Sequence, residues 1–265
     1  MSSTNGRPKA SAPQKTSAPI KSTVTELARR LKPAMTAVND RFDYYLSYPI
    51  AEEDLRQYLH EPIAAIPVAV DSLLPKISVV LAPYLERPHS KTVASVVTEK
   101  PADDKLILSV AIENDDSATL FFTVKDEQVA DYHYFFYDEL AGLLVSRVPD
   151  MINDAWQRLL REELSAEVHG EVDDRSWRQK QALLRRPMAS RRDGKPFRDY
   201  ARDSFRDTLT LYLHGICCDI DVETGPRQIP SRFLRKRLEL LKDMFPPPEG
   251  HAVFPEDQHG KERRK

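Results

Sequence analysis

Four short apolar runs decide how this chain is read: ISVVLAPYL (77–85), TVASVVT (92–98), LILSVAI (106–112) and TLFFTV (119–124). They are rich in β-branched and aromatic residues, and the gaps between them hold Pro, Asp, Asn and Ser. Each gap is long enough for a hairpin and too short for a helical crossover, which predicts a four-stranded antiparallel meander over 77–125. In the last run Leu120 and Phe122 alternate with Phe121 and Thr123, and the third alternates Leu106, Leu108, Val110 and Ile112 against Ile107, Ser109 and Ala111. Much of the sheet is therefore apolar on both faces and needs helices over at least one of them.

Downstream of these runs every strong signal is helical. Helices are expected over 131–148, ended by Pro149; 150–168, ended near Gly170; 174–184, ended by Pro187; 196–214, ended by Gly215; and 231–245. Upstream, Leu27, Leu31, Met35, Val38, Phe42 and Leu46 fall at steps of three and four, one face of a long helix bent or restarted at Pro33. A short helix over 52–59 and a linkage punctuated by Pro62, Pro67 and Pro75 complete that part. The expected fold is α+β: N-terminal helices (24–60), the meander (77–125), and a helix-rich C-terminal half (131–245) packed on the sheet. These form one domain over 24–245, between a disordered basic tail (1–23) and an extended or frayed tail (246–265).

Composition excludes several classes. The 265 residues are 41% apolar and 30% charged, the balance of a globular chain. Its longest uncharged apolar stretch, 62–70, is interrupted by Pro67 and is too short to span a bilayer, so no membrane insertion is expected. The eight glycines lie ten or more residues apart, which rules out G-x-G-x-x-G, the P-loop, the kinase glycine loop and the G-x-S-x-G elbow. The two cysteines, Cys217 and Cys218, are adjacent and cannot build a disulfide framework, as expected of a reducing compartment. The first 25 residues carry four bases, no acid and no apolar run, and Pro13 and Pro19 oppose a transit-peptide helix, so a cytoplasmic location is expected.

A net charge of −2 hides a strong separation. Residues 26–174 hold 14 bases and 28 acids, whereas 175–206 hold 11 bases and three acids. Nine of those eleven bases are arginine, interleaved with Trp177, Phe197, Tyr200 and Phe205. Such a segment either folds back onto the acidic part of its own chain or holds an anionic partner, protein or nucleic acid. The loop between the two helices of this segment directs the second reading to Arg185, Arg186, Arg191, Arg192, Lys195 and Arg198. The leading expectation is a non-enzymatic interaction or regulatory protein that needs no cofactor.

The alternative is a metal-dependent hydrolase or nuclease-like enzyme whose site is assembled from distant residues: His169, Glu171, His214, Asp219 and Asp221. Asp219, Asp221 and Glu223 would share one face of an extended segment, but the glycine and glutamate of an EF-hand loop are out of place. His214, Cys217 and Cys218 offer soft ligands without a C-x-x-C, and His133 lacks the second histidine four residues on that a zincin requires, Tyr137 standing there instead. The simpler reading of the cysteines is a packed apolar pair, and of the aromatic run Tyr132–Tyr137 a helical core face. A nuclease arrangement using Glu113 or Asp115 with Lys125 lacks its second acid, because position 123 is Thr123.

Overall fold

Pro83 governs the sheet architecture. It has no N–H to give to a ladder, so the run 77–85 is cut in two and its halves enter different sheets. The computed structural model describes residues 22–87, 93–187, 193–218, 229–254 and 256–257. In chain order its elements are β1 (Ser22–Thr23), α1 (Val24–Leu31), β2 (Thr36–Ala37), β3 (Phe42–Leu46), α2 (Glu52–Leu55), a π-helical turn (Arg56–His60), α3 (Glu61–Ala64) and α4 (Val68–Asp71). There follow β4 (Lys76–Ala82), β5 (Tyr84–Glu86), β6 (Ser95–Val97), β7 (Leu106–Ile107), β8 (Ser109–Glu113) and β9 (Ser117–Thr123). The helices α5 (Val129–Leu144), α6 (Asp150–Ser165), α7 (Asp174–Leu184), α8 (Lys195–Cys218) and α9 (Ser231–Met244) complete the elements of the described residues.

The protein is thus mixed helix and sheet, but the single four-stranded meander is replaced by two sheets. One is five-stranded, in the order β2-β3-β4-β9-β8, and its central pairs β3–β4 and β4–β9 are parallel. The other is four-stranded and antiparallel, in the order β1-β6-β5-β7. The run 106–112 is also divided, between β7 and β8, and Thr123 stitches the seam: its Oγ1 accepts from the Leu85 N–H at 3.0 Å and donates to the Ile107 carbonyl at 2.8 Å. The small sheet and β8 therefore serve as the crossover between parallel β4 and β9, a role the short gaps concealed.

The long N-terminal helix is likewise corrected. Helix α1 is capped by Thr23, whose Oγ1 accepts from the Glu26 N–H and donates to the Glu26 carboxylate, and it stops at Leu31 before Pro33. Asn39 then caps a turn by accepting from the N–H groups of Arg41 and Phe42, and FDYYL continues as β3. Phe42 and Leu46 fit helical spacing only by coincidence; as β-favouring residues they join the sheet beside β4.

From Val79 to Ala82 strand β4 is buried on both faces, which is why that stretch reads as a continuous apolar run. Ile77, Val79 and Leu81 join Leu120 and Phe122 in the main core, with Phe136 and Leu140 of α5 and the C-terminal helices. Val80, Ala82 and Phe121 face the opposite way, onto Val24, Leu27 and Leu31 of α1. Beyond α9 the chain runs over the helix surface, burying Val253 and Phe254, the latter beneath Arg235 and Lys242. No helix among the described residues is long and apolar enough to cross a membrane.

Candidate functional site

The basic segment is divided in two by what its side chains touch. Asp138 of α5 receives both forks of two arginines: Arg175 at 2.9 and 3.0 Å and Arg206 at 3.0 and 2.7 Å. Burial works to raise the Asp138 pKa, but the two guanidiniums outweigh it and hold the carboxyl below its usual range. Gly142, one turn further along α5, makes room for this: a Cβ there would lie 2.9 Å from the guanidinium carbon of Arg206. Asp207 accepts the Ser176 N–H at 2.9 Å at the start of α7 and faces Arg175 at 3.2 Å, yet burial prevails and pushes its pKa up to about 6.

A second network lies deeper. Arg237 of α9, fully buried, donates to Glu163 of α6 at 2.5–3.2 Å and to Glu171 at 2.7–3.0 Å, with Ser204 Oγ at 3.0 Å. Lys180 of α7, equally buried, reaches Glu171 at 3.1 Å and the Gly170 carbonyl at 2.8 Å. Two cations and two anions balance, and every helix of the C-terminal half except α5 contributes a member. Elsewhere, Arg178 pairs with Asp174 one turn away, and Arg202 with Asp203 at 3.1 Å.

Four further cations of the segment lie at one corner. Ser176 meets Asp207 and Lys180 meets Tyr200, so α7 runs antiparallel to α8, and the C-terminal end of α7 lies by the N-terminal end of α8. Arg185 and Arg186 follow the first helix, and Lys195 and Arg198 open the second, all four exposed. Arg185, Lys195 and Arg198 have no carboxylate partner among the described residues; Asp193 beside them pairs with Arg161 at 3.0 Å, and its carbonyl accepts from Arg198 at 3.3 Å. Arg191 and Arg192 lie outside the described residues.

Among the described residues of the metal alternative, His169, Glu171 and His214 do not form a metal-binding group. His169 is exposed, Glu171 is held by Arg237, Lys180 and Tyr200, and His214 is buried with its ring against Tyr134 and Tyr137. Asp219 and Asp221 lie outside the described residues.

What the fold does assemble is a different cluster, His133 with Cys217 and Cys218, whose ligand atoms all lie within 4.8 Å of one another. Its orientation starts from Pro62. The π-helical turn sends the Glu61 N–H to the Arg56 carbonyl, and Pro62 has no N–H, so the Gln57 carbonyl is left without a helical donor. His133 Nε2 supplies one at 2.8 Å, and Tyr137, one turn on along α5, donates to the Pro62 carbonyl at 2.9 Å. With its hydrogen on Nε2, the imidazole turns the Nδ1 lone pair toward sulfur, 3.0 Å from Cys218 Sγ and 3.9 Å from Cys217 Sγ. The contact with Cys218 is the main cause that lowers the Cys217 pKa to about 4 against the effect of burial, and the same contact raises the Cys218 thiol. Sequence spacing could not pair His133 with thiols 84 and 85 residues away. The one legible signal was the coincidence of all the protein's cysteines with the end of an apolar helix.

Comparison of the chain with protein-family models, with curated proteins and with solved structures finds no match, so the functional reading rests on these arrangements alone.

Proposed function

We propose that this chain is a non-enzymatic interaction or regulatory protein that holds an anionic partner, nucleic-acid phosphates or an acidic protein segment, against the corner of Arg185, Arg186, Lys195 and Arg198. The observation that carries this reading is the division of the basic segment. Arg175, Lys180 and Arg206 are consumed by Asp138, Asp207 and Glu171, whereas Arg185, Lys195 and Arg198 have no carboxylate partner among the described residues. The guanidinium forks match phosphate and carboxylate geometry, and the partial positive charge at the start of the 24-residue α8 adds to the same field. Arg191 and Arg192 fall between the two helices in sequence and belong to the same proposal. The hydrolase alternative draws no support from the placements of His169, Glu171 and His214.

The test is a titration of labelled single-stranded RNA and of polyglutamate, read by anisotropy across a salt series, with the protein and its Arg185→Ala/Arg198→Ala variant. The variant is expected to bind more weakly and with a salt slope for the single-stranded RNA reduced by roughly 1.4, at unchanged stability within about 0.5 kcal/mol. Binding of RNA without polyglutamate assigns the nucleic-acid form, and the reverse assigns the acidic-protein form. Equal affinity and equal slope for protein and variant overturn the proposal.

A further inference from the structure

We propose that His133, Cys217 and Cys218 form a zinc(II) site that ties α5 to the end of α8. The inference stands apart from the anion-binding corner and rests on different residues.

Three features of the cluster point to a metal. First, the donor set is one imidazole nitrogen and two sulfurs, the ligands that zinc takes most readily. In a tetrahedral zinc site, with Zn–S near 2.3 Å and Zn–N near 2.0 Å, a nitrogen and a sulfur ligand stand about 3.6 Å apart. The Nδ1–Sγ separations of 3.0 and 3.9 Å bracket that value, so side-chain rotations are enough to close the site. Second, consecutive side chains on a helix diverge by about 100°, so neighbouring thiols converge only on a group lying between them. His133 Nδ1 is that group.

Third, the imidazole is already oriented as a ligand. A zinc-bound histidine normally gives its other N–H to a carbonyl or carboxylate, which fixes the tautomer and the ring plane. Here the Gln57 carbonyl, freed by Pro62, takes the Nε2 hydrogen at 2.8 Å. The ring is buried, with its edge on Tyr132, while both cysteines are half-buried and so within reach of solvent. The metal takes both cysteines as thiolates, any proton still on sulfur passing to solvent, and the two thiolates cancel the charge of the dication. Solvent supplies the fourth ligand on the exposed side.

The experiment uses the full-length, reduced protein and two probes, zinc(II) alone and cobalt(II) as its spectroscopic substitute. Cobalt is expected to bind at one equivalent with a near-ultraviolet thiolate-to-metal charge-transfer band and tetrahedral ligand-field bands, and zinc to displace it. Zinc is expected to raise the thermal midpoint of the protein. Cys217→Ser and Cys218→Ser, each checked for folding by circular dichroism, should each weaken the charge-transfer band and the affinity at least tenfold. His133→Gln, which retains a donor for the Gln57 carbonyl, should weaken binding while leaving the charge-transfer band. Absence of the charge-transfer band in the unsubstituted protein overturns the proposal whatever the variants do. So does zinc binding that is equal in the protein and in both serine variants.

Discussion

Replacing Arg237 by methionine is the sharpest perturbation of the helical half. Its guanidinium is fully buried and is the sole cation within hydrogen-bonding distance of Glu163 among the described residues, whereas Glu171 keeps Lys180 at 3.1 Å. Arg237→Met therefore turns a balanced group of two cations and two anions into one with a buried excess negative charge. Breaking a buried pair from one side costs about 3–5 kcal/mol, a large share of the roughly 5–15 kcal/mol that holds a domain together. The pH dependence supplies a second readout. Burial alone would raise the Glu171 pKa, but Arg237, Lys180 and Tyr200 bring it down to about 2 from an ordinary 4.5. A depressed carboxylate stabilises the fold above its unfolded pKa, and that contribution, on the order of 3 kcal/mol, is lost as pH falls from about 4.5 through about 2. Without Arg237 the burial effect gains ground and the Glu171 pKa rises, so acid relieves a buried charge instead of removing a favourable one. Urea denaturation of protein and variant from about pH 7 down to about pH 3 should then show a deficit of about 3–5 kcal/mol that narrows toward acid. A deficit below about 1 kcal/mol, or one that does not change with pH, would refute the reasoning.

Other outcomes follow from single contacts. Asp207 has its pKa raised to about 6, so its stabilising contribution is present in acid and lost as pH rises through about 6; Asp207→Asn should abolish that loss, seen as flatter stability between about pH 4 and about pH 7. Thr123→Val strands the Leu85 N–H and the Ile107 carbonyl at the seam of the two sheets and should cost about 2–3 kcal/mol by chemical denaturation, whereas the same change at a solvent-facing threonine should cost little. Trp156, fully buried, donates its indole N–H to the Ala201 carbonyl at 3.1 Å; Trp156→Phe should lose about 2 kcal/mol, and an unchanged denaturation midpoint would contradict that bond.

The parts of this fold legible in the sequence are those governed by local signals. Helices α5, α6, α7 and α9 lie close to the bounds set by their periodicity and by Pro149 and Pro187, while α8 runs past Gly215 to Cys218, burying Ile216 on the way. What sequence could not show is pairing at a distance. FDYYL satisfies the periods of both helix and strand, and only its parallel partner β4 decides between them. A single proline, Pro83, redirected one run into two sheets. The charge separation left internal and external use open, and the structure shows the internal use residue by residue: Asp138 sits opposite Arg175 and Arg206, but not opposite Arg198. The thiol–imidazole cluster depends on an unsatisfied carbonyl in a π-helical turn, a feature without a sequence signature beyond Pro62.

The division of the basic segment is tested most directly by two equal charge deletions on one helix. Arg198→Ala and Arg206→Ala each remove one positive charge from α8, eight positions apart, the first from the exposed corner and the second from the bidentate pair with Asp138. The salt concentration that elutes each protein from an immobilised polyanion separates the two roles. The account predicts that Arg198→Ala elutes earlier than the parent while folded Arg206→Ala elutes with it. Equal shifts for both variants, or a shift for Arg206→Ala alone, would contradict it.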